Sequence, residues 1–211
     1  MRRRSSQAPE SIENPELFTS KPEKDALEAR NALLQFDETL RLVRNAKGVL
    51  HLTPQILCAL QKLAIQDIYK CAGTYRKRTI YISNSLHETP PFQQVEKLVE
   101  EMCDYVNTSD GTPIHLAAYL MWRVNWIHPF SGGNGRTSRA VSYLALCTKY
   151  DTELPGTPTI PDLIAADRVP YYMALDAADA ACRAGRIDVT TMENLISDLL
   201  LRQLSSVPAS S

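Results

Sequence analysis

The chain has 211 residues, 44% of them hydrophobic, and its 23 Lys and Arg balance 24 Asp and Glu to a formal net charge of −1. This balance argues against a bulk polyanion binder such as a nucleic-acid protein, because no global excess of positive charge can displace counterions, although a local basic site for a small anion stays compatible. The hydrophobic content excludes an intrinsically disordered chain, and the length supports one conventional core without disulfides or metal.

The cysteines and the N-terminus bear on the cellular compartment. Five cysteines are present, none of them spaced as a CxxC pair, which favours buried free thiols in a reducing compartment over a zinc site or a disulfide framework. No stretch approaches the roughly 18 apolar residues of a membrane span, and no apolar segment of a secretory signal follows the basic start MRRRSSQAPE. We therefore expect a cytoplasmic protein that uses no membrane, with delivery into another cell left open.

The N-terminal third predicts a polar lead followed by two helices. Residues 1–22 are polar and punctuated by prolines, with a candidate short helix over Ser11–Phe18. Apolar residues at helical spacing predict an amphipathic helix over Lys24–Leu42. Thr53-Pro54 combines an N-cap residue with proline at the first helical position, and predicts a helix that ends near Gly73.

The next segment has the composition of extended structure. Thr79, Ile80, Tyr81 and Ile82 form a β-branched and aromatic run, and a turn-forming Ser-Asn-Ser follows. We interpret this segment as a small hairpin or an extended flap that ends at Pro90-Pro91.

The rest of the chain predicts helices separated by one proline-rich loop. An apolar helical face begins at Val95, and the near-uniformly apolar Ile114–Ile127 fits the buried central helix of an all-α domain. The remaining predicted elements are helices over Thr137–Thr148, Tyr171–Ala184 and Thr191–Leu204, a loop over Leu154–Pro161, and a helix C-cap at Gly185. The sequence thus predicts an all-α fold: a compact helical bundle around a buried central helix, with a short β-hairpin flap and a flexible tail over residues 205–211.

The chemistry is concentrated in one loop, His128–Arg139, which has the sequence HPFSGGNGRTSR. Its three glycines allow positive backbone φ angles and bring several N–H groups towards one point, and the following helix adds the partial positive charge of its N-terminus. Arg136 and Arg139 stand three residues apart on the first turn of that helix, so they project from the same side. Two guanidinium groups beside such a nest favour a polyphosphate ligand.

His128 precedes this loop, and its imidazole is suited to take a proton from an incoming hydroxyl beside a bound phosphate. Taken alone, His128 has a simpler explanation as a packed side chain, and the glycines as a turn between helices. Their conjunction with two arginines favours attack on a nucleotide phosphorus. A Walker A loop is excluded, since no GxxxxGK[ST] pattern occurs and no strand precedes the glycines.

These residues resemble the signature of Fic-domain proteins, HPFx(D/E)GN(G/K)RxxR. The resemblance runs from about Thr53 to about Leu204, and includes Ala72-Gly73-Thr74-Tyr75-Arg76 and the segment Arg168–Leu175. It implies a Fic domain over residues 23–204, which transfers AMP from ATP to a Ser, Thr or Tyr hydroxyl of a target protein. A homodimer is compatible with the sequence.

The resemblance also implies a role for each matching residue. His128 would deprotonate the target hydroxyl, and Tyr171 or Tyr172 would lie along the nucleotide base, although a core role for one of them is equally compatible. The α- and β-phosphates would bind Gly133, Asn134 and Gly135, and the β- and γ-phosphates Arg136 and Arg139. The flap residues Thr79, Ile80, Tyr81 and Ile82 would pair with an extended segment of the target by strand addition.

The sequence departs from the signature at Gly132, where the family has the Asp or Glu that holds Mg²⁺. Mg²⁺ would then depend on the phosphates, on water, and on Ser131 or a remote carboxylate. Three outcomes follow: slow adenylylation, a different phosphate-containing donor, or a module that binds nucleotide and partners without transfer.

An N-terminal stretch resembles the inhibitory helix of many Fic proteins, which has the pattern (S/T)xxxE(G/N). Ser11-Ile12-Glu13-Asn14 matches its core, and the implied consequence is an ion pair between Glu13 and Arg139. The position four residues before Glu13 is Pro9 rather than Ser or Thr, and an exposed glutamate in a polar lead is the alternative.

Overall fold

The computed structural model describes residues 15–82, 85 and 87–207. Within these ranges the chain forms helices joined by turns, and no β-strand longer than an isolated bridge, which confirms the all-α prediction. The helices are α1 (Lys21–Ala46), α2 (Pro54–Ile65), α3 (Val95–Thr108), α4 (Pro113–Ile127), α5 (Asn134–Lys149), α6 (Ile160–Ala166), α7 (Val169–Arg183) and α8 (Thr190–Ser205), with a 3₁₀ turn over Phe92–Gln94.

Threonine caps start two of the helices where the sequence indicated a start. The Thr53 hydroxyl accepts the backbone N–H of Ile56, and proline occupies the first turn of α2. Thr112 caps α4 in the same way, by accepting the N–H of His115. At both sites the cap satisfies a backbone donor that the helix itself leaves unpaired.

The end of α2 was predicted wrongly. The helix ends at Ile65, well before Gly73, because Gln66 leaves the helical region with ψ of 146° and Asp67 then takes a left-handed conformation with φ of 61°. The chain beyond it runs as turns, and the Gln61 side chain, rather than a further helical turn, accepts the N–H of Gly73 at 2.5 Å.

The N-terminal lead is extended where it is described. Glu16 forms an antiparallel bridge with Tyr69, and the N–H of Leu17 donates to the carbonyl of Ile68 at 2.9 Å. The predicted helix over Ser11–Phe18 is therefore wrong for residues 15–18. Its first four residues, and with them Glu13, lie outside the described residues.

Helix α6 begins at the end of the segment predicted to be a loop, with Ile160 and Pro161 inside that segment. It is started by a capping box in which Thr159 accepts the N–H of Asp162, and the Asp162 carboxylate accepts the N–H of Thr159. Pro161 falls in the first turn, where its missing N–H costs nothing. The proline that indicated a loop thus begins a helix.

Helix α4 is the centre of the bundle, as predicted. It is buried around most of its circumference, including Met121 and Trp122, and it packs against α5 on one side and α8 on another. A helix that is apolar on all sides is expected only where neighbours surround it. The position of α4 fixes the loop that follows its C-terminus.

Helix α1 turns an unusual face inwards. Its buried residues include Asn31, Gln35 and Thr39, whereas Leu33 is 68% exposed. The Asn31 amide donates to the carbonyl of Gln66 at 2.7 Å, and the Gln35 amide donates to the carbonyl of Leu60 at 2.9 Å. Over these turns α1 is therefore attached to the α2 region by hydrogen bonds more than by aliphatic packing.

The predicted flap contains a single antiparallel bridge, between Tyr81 and Glu88. Ile80 is buried, and its carbonyl accepts a hydrogen bond from the Thr89 hydroxyl at 3.0 Å. Thr79 and Tyr81 are exposed, so alternate residues of the flap face the core and the surface.

Two further expectations concern the cysteines and the membrane. None of the five cysteines, all of which lie in the described part of the chain, forms a disulfide; Cys103 and Cys147 are buried as predicted, whereas Cys58, Cys71 and Cys182 are only partly buried. Among residues 15–82, 85 and 87–207, no helix combines the length and the apolar content that crossing a bilayer requires.

Candidate functional site

The predicted loop connects α4 to α5 and is closed by its own side chains. His128 caps α4 in a left-handed conformation, with φ of 50°, and its N–H donates to the carbonyl of Val124 at 2.9 Å. Phe130 is completely buried. The buried Asn134 amide accepts the Phe130 N–H at 3.0 Å and donates to the Phe130 carbonyl at 2.8 Å. The Asn134 side chain thus closes the loop by two hydrogen bonds to the Phe130 backbone, which the sequence alone did not indicate.

Gly133 requires glycine for two separate reasons. Its φ of +77° lies in the left-handed region, and a Cβ atom there would stand 2.7 Å from Cγ2 of Ile65. The neighbouring Gly132 carbonyl accepts a hydrogen bond at 2.9 Å from the buried Gln61, the side chain that also accepts the Gly73 N–H. The loop is therefore packed tightly against the end of α2.

The His128 imidazole is arranged as a neutral base. Its Nδ1 atom lies 3.3 Å from the carbonyl of Asn125, which is a hydrogen bond when Nδ1 carries the proton, and this tautomer leaves Nε2 with a free lone pair. Burial lowers the pKa of His128 to about 4. The ring is therefore uncharged at neutral pH and can accept a proton.

His128 borders a cavity of about 280 Å³. The cavity lies between the flap, the end of α4 and one face of α7, and its lining includes Ile82, Trp126, His128, Tyr172, Leu175 and Asp176. Two aromatic side chains and two aliphatic ones make most of its wall apolar, with a few polar groups among them. A cavity of this character suits a flat, partly polar ring.

A polar network that the sequence did not indicate occupies one side of this cavity. Asp179 accepts a hydrogen bond from the indole of Trp122 at 2.8 Å, and its other oxygen lies 3.4 Å from Nδ1 of His87. The His87 Nε2 atom donates to the carbonyl of Trp126 at 2.8 Å. His87 comes from the flap and Asp179 from α7, so only the folded chain brings them together.

The two arginines of the signature lie on the first turn of α5, as predicted, but differ in their partners. Arg136 donates to the carbonyl of Ala64 at 3.0 Å and lies 3.5 Å from the carboxylate of Glu28 on α1. Within the described residues, Arg139 makes neither a hydrogen bond nor an ion pair. Burial lowers the pKa of both. A partly buried guanidinium without a carboxylate is an anion-binding group.

The structure distinguishes the two tyrosines that the sequence left open. Tyr171 is 3% exposed, and its hydroxyl accepts from the Asn125 amide at 2.8 Å and lies 3.3 Å from the Ser138 hydroxyl. Tyr172 is 51% exposed and lines the cavity. Tyr171 is therefore a core residue, and Tyr172 is the one placed to meet a ligand.

The residues of this site do not fit a protein-held Mg²⁺ ion. No group of three or more His, Cys, Asp or Glu side chains able to hold a metal occurs in the described part of the chain. Gly132 offers no side chain, Glu28 faces Arg136, and Asp179 is engaged by Trp122 and His87. Hard cations such as Mg²⁺ are usually held by at least one carboxylate, and this loop carries none.

Arg76 is a buried residue that connects the His128 loop to the flap. Its side chain is 2% exposed, and its nitrogens donate to the carbonyls of His128 at 2.8 Å, Arg78 at 2.8 Å and Pro90 at 2.6 Å. Arg76 belongs to the Ala72–Arg76 stretch that carried part of the sequence resemblance. That stretch was the available signal, but its role in holding the loop and both ends of the flap required the fold.

Sequence comparisons connect this site to known proteins. The sequence model of the Fic/DOC family matches residues 51–146. A Fido domain-containing protein of Dictyostelium discoideum is 32% identical over 118 residues, which cover 54% of this chain and 76% of that protein. A protein of Nematostella vectensis named protein adenylyltransferase Fic is 29% identical over 133 residues, 56% of this chain and 28% of that protein.

Solved structures share the fold. A Fic family protein from Desulfovibrio desulfuricans superposes with a TM-score of 0.65 at 21% identity, over 91% of this chain and 57% of that one. A Fic domain containing signaling protein from Bacteroides thetaiotaomicron gives a TM-score of 0.67 at 20% identity, over 85% and 71%. At such identities the likeness concerns the fold alone.

Proposed function

Because the chain belongs to the Fic/DOC family, we propose that it transfers AMP from ATP to a hydroxyl side chain of a target protein. The observation that carries the proposal is the neutral imidazole of His128, which is oriented by the Asn125 carbonyl and borders a largely apolar cavity. The relative from Nematostella vectensis is named a protein adenylyltransferase, although this chain spans only 28% of it.

The transfer is an in-line displacement at the α-phosphorus. The target hydroxyl oxygen forms a bond to that phosphorus, its proton moves to Nε2 of His128, and the bond to the β-phosphate oxygen breaks so that pyrophosphate leaves. Arg136 and Arg139 stabilise the charge that develops on the leaving group. No step is assigned to Mg²⁺.

The nucleotide binds with its base in the cavity and its phosphates at the loop. Trp126 and Tyr172 provide aromatic surface for a planar base. The backbone N–H groups of Gly133 and Gly135 and the N-terminus of α5 face the phosphates. Asn134 contributes by holding the loop closed, since its amide is already bonded to Phe130.

The target protein docks on the flap. Thr79 and Tyr81 are exposed there, whereas Ile80 is buried. An extended segment of the target adds to this backbone by strand pairing, which brings its hydroxyl towards His128. The proposed acceptors are Ser, Thr and Tyr, whose side chains carry the hydroxyl that the transfer requires.

Glu13 remains the proposed inhibitor of the site. Its predicted partner, Arg139, has no ion pair with any described residue, which leaves that guanidinium available for a carboxylate or a phosphate. Replacement of Glu13 by glycine should increase transfer if the proposal is right. Unchanged self-modification together with unchanged ATP affinity would contradict it.

A second function is favoured by one observation, the lack of a carboxylate at Gly132 and of any described metal cluster. Without metal the transfer step is slow, and the domain would then act as a nucleotide-binding interaction module or use another phosphate-containing donor. Gly132→Asp restores the acid, and a large gain in transfer would identify a transferase limited by metal.

Intact-mass spectrometry tests the proposed activity directly. The purified protein is incubated with ATP and Mg²⁺ or Mn²⁺, beside His128→Ala and the exposed control His51→Ala. A mass gain of one AMP that disappears only in His128→Ala supports adenylyl transfer. No gain in wild type or in Gly132→Asp would reject it in favour of the binding module.

A further inference from the structure

Arg168 is close enough to the two signature arginines to interact with their charge, although it comes 29 residues after the end of the loop in sequence. It immediately precedes α7, and its carbonyl accepts the N–H of Tyr172 at 3.0 Å. Its side chain is exposed and makes neither a hydrogen bond nor an ion pair with the residues that the structure describes. A guanidinium in this situation is available to a ligand.

A contact between α5 and α7 supports this proximity. The hydroxyl of Tyr171, three residues after Arg168, lies 3.3 Å from the hydroxyl of Ser138. Ser138 stands between Arg136 and Arg139 on α5, so the start of α7 packs beside the start of α5. The positive charge of Arg168 accordingly contributes to the lowered pKa of both arginines, after burial as the main cause.

The charge at this place is out of balance. The charges of three guanidinium groups interact there, and Glu28 is the single carboxylate among the described residues that forms an ion pair with any of them. Like charges held together in this way destabilise the protein unless an anion binds. A triphosphate carries roughly four negative charges, and two arginines neutralise only two of them. A metal ion would usually neutralise the rest, but the loop has no carboxylate to help hold one.

We infer that Arg168 is the third guanidinium of the anion site and binds the outermost phosphate of a triphosphate, in the place where a metal would otherwise share the charge. The ligand class is a nucleoside triphosphate or inorganic triphosphate. The inference deepens the proposed function and rests on it where the ligand is ATP. Inorganic triphosphate separates the two, since it has no base and no transferable nucleotide.

Isothermal titration calorimetry at low salt with EDTA present tests the role of Arg168 without metal. Inorganic triphosphate, ATP and AMP are titrated into wild type, Arg168→Gln and Arg168→Lys. Arg183→Gln is the matched control, because it removes the same charge from the exposed far end of the same helix. Thermal melting of each variant reports that it is folded.

Loss of one charge-assisted hydrogen bond should weaken triphosphate and ATP binding about tenfold in Arg168→Gln. AMP affinity should change less than about twofold, since AMP lacks the outer phosphates, and Arg168→Lys should recover part of the loss. Arg183→Gln should bind all three ligands as wild type does.

Each other outcome decides between the inference and the proposed function. If Arg168→Gln binds ATP as tightly as wild type, the inference is overturned and the transferase proposal stands. Equal weakening for ATP and AMP also overturns it. If wild type binds inorganic triphosphate through Arg168 but does not bind ATP, the anion site is supported and the nucleotide proposal fails. If wild type binds neither inorganic triphosphate nor ATP, the inference is overturned as well.

Discussion

The guanidinium of Arg76 donates through Nε to the backbone carbonyl of His128 at 2.8 Å, from a side chain that is almost completely buried. The same group donates to the carbonyls of Arg78 and Pro90, one at each end of the flap. One buried cation therefore sets the position of the candidate base relative to the proposed docking surface. Carbonyl oxygens on several sides compensate the cost of burying its charge.

Arg76→Lys should destabilise the protein strongly while keeping the charge. An ammonium is a point donor and cannot reach carbonyls in three directions, so buried acceptors lose their partners, at a cost of about 2–4 kcal/mol. Urea denaturation measures this loss, with exposed Arg78→Lys as the control. A midpoint equal to wild type would show that the fork geometry of Arg76 is dispensable.

Gly133→Ala and Gly135→Ala form a matched pair within one loop. Alanine at 133 combines a left-handed backbone with a Cβ 2.7 Å from Ile65, and we expect a loss of about 1–3 kcal/mol. At 135 the nearest atom to an added Cβ is Nη1 of Arg139 at 3.6 Å, an ordinary contact, so stability should stay equal or rise slightly. Thermal melting compares the two, and equal losses would contradict this account of the loop.

Gln61→Glu should destabilise the loop in a pH-dependent way. The isosteric carboxylate can still accept the Gly73 N–H, but when ionised it repels the Gly132 carbonyl that Gln61 now donates to, at a cost of about 1–3 kcal/mol. Protonation at low pH restores a donor, so the deficit relative to wild type should shrink as the pH falls. Denaturation at matched pH values checks this, and a constant deficit would exclude the electrostatic explanation.

His128 should make stability depend on pH over a defined interval. Its pKa is about 4 in the folded protein and 6.5 for the ordinary side chain, so between these values the unfolded chain binds more protons. The free energy of unfolding should therefore fall as the pH decreases from 6.5 towards 4, and this contribution should level off below 4. His128→Gln removes it, so the difference in unfolding free energy between the two proteins at each pH isolates His128. A difference that does not vary with pH would refute the low pKa, as would an NMR titration of the ring near 6.5.

The contiguous part of the site was predictable, because its chemistry is local. Gly133 in a left-handed conformation, and Arg136 and Arg139 on one helical turn, follow from backbone geometry that a short sequence encodes. The Thr53 cap is local in the same sense. The burial of Tyr171 rather than Tyr172 depends on contacts with α4 and α5, which no local pattern contains.

The remaining site residues depend on tertiary packing. His87 and Asp179 are ninety-two residues apart in sequence, and Gln61 reaches the loop across seventy-one. The missed helix α6 is a different case, since Thr159, Pro161 and Asp162 form a capping box with a first-turn proline that the sequence displays. The proline-rich composition suggested a loop, but the Thr159 and Asp162 capping box was the stronger signal and indicated the start of a helix.

The middle turns of α1 illustrate how attachment by amides differs from attachment by aliphatic side chains. If Asn31 and Gln35 release their carbonyl partners, water can replace both hydrogen bonds, and little apolar surface becomes exposed because Leu33 already faces solvent. Detachment of these turns should thus carry a small heat-capacity change and need not await melting of the core. Glu28 lies on the same turns, so local undocking would also remove the carboxylate from Arg136 and leave the anion site with its full positive charge.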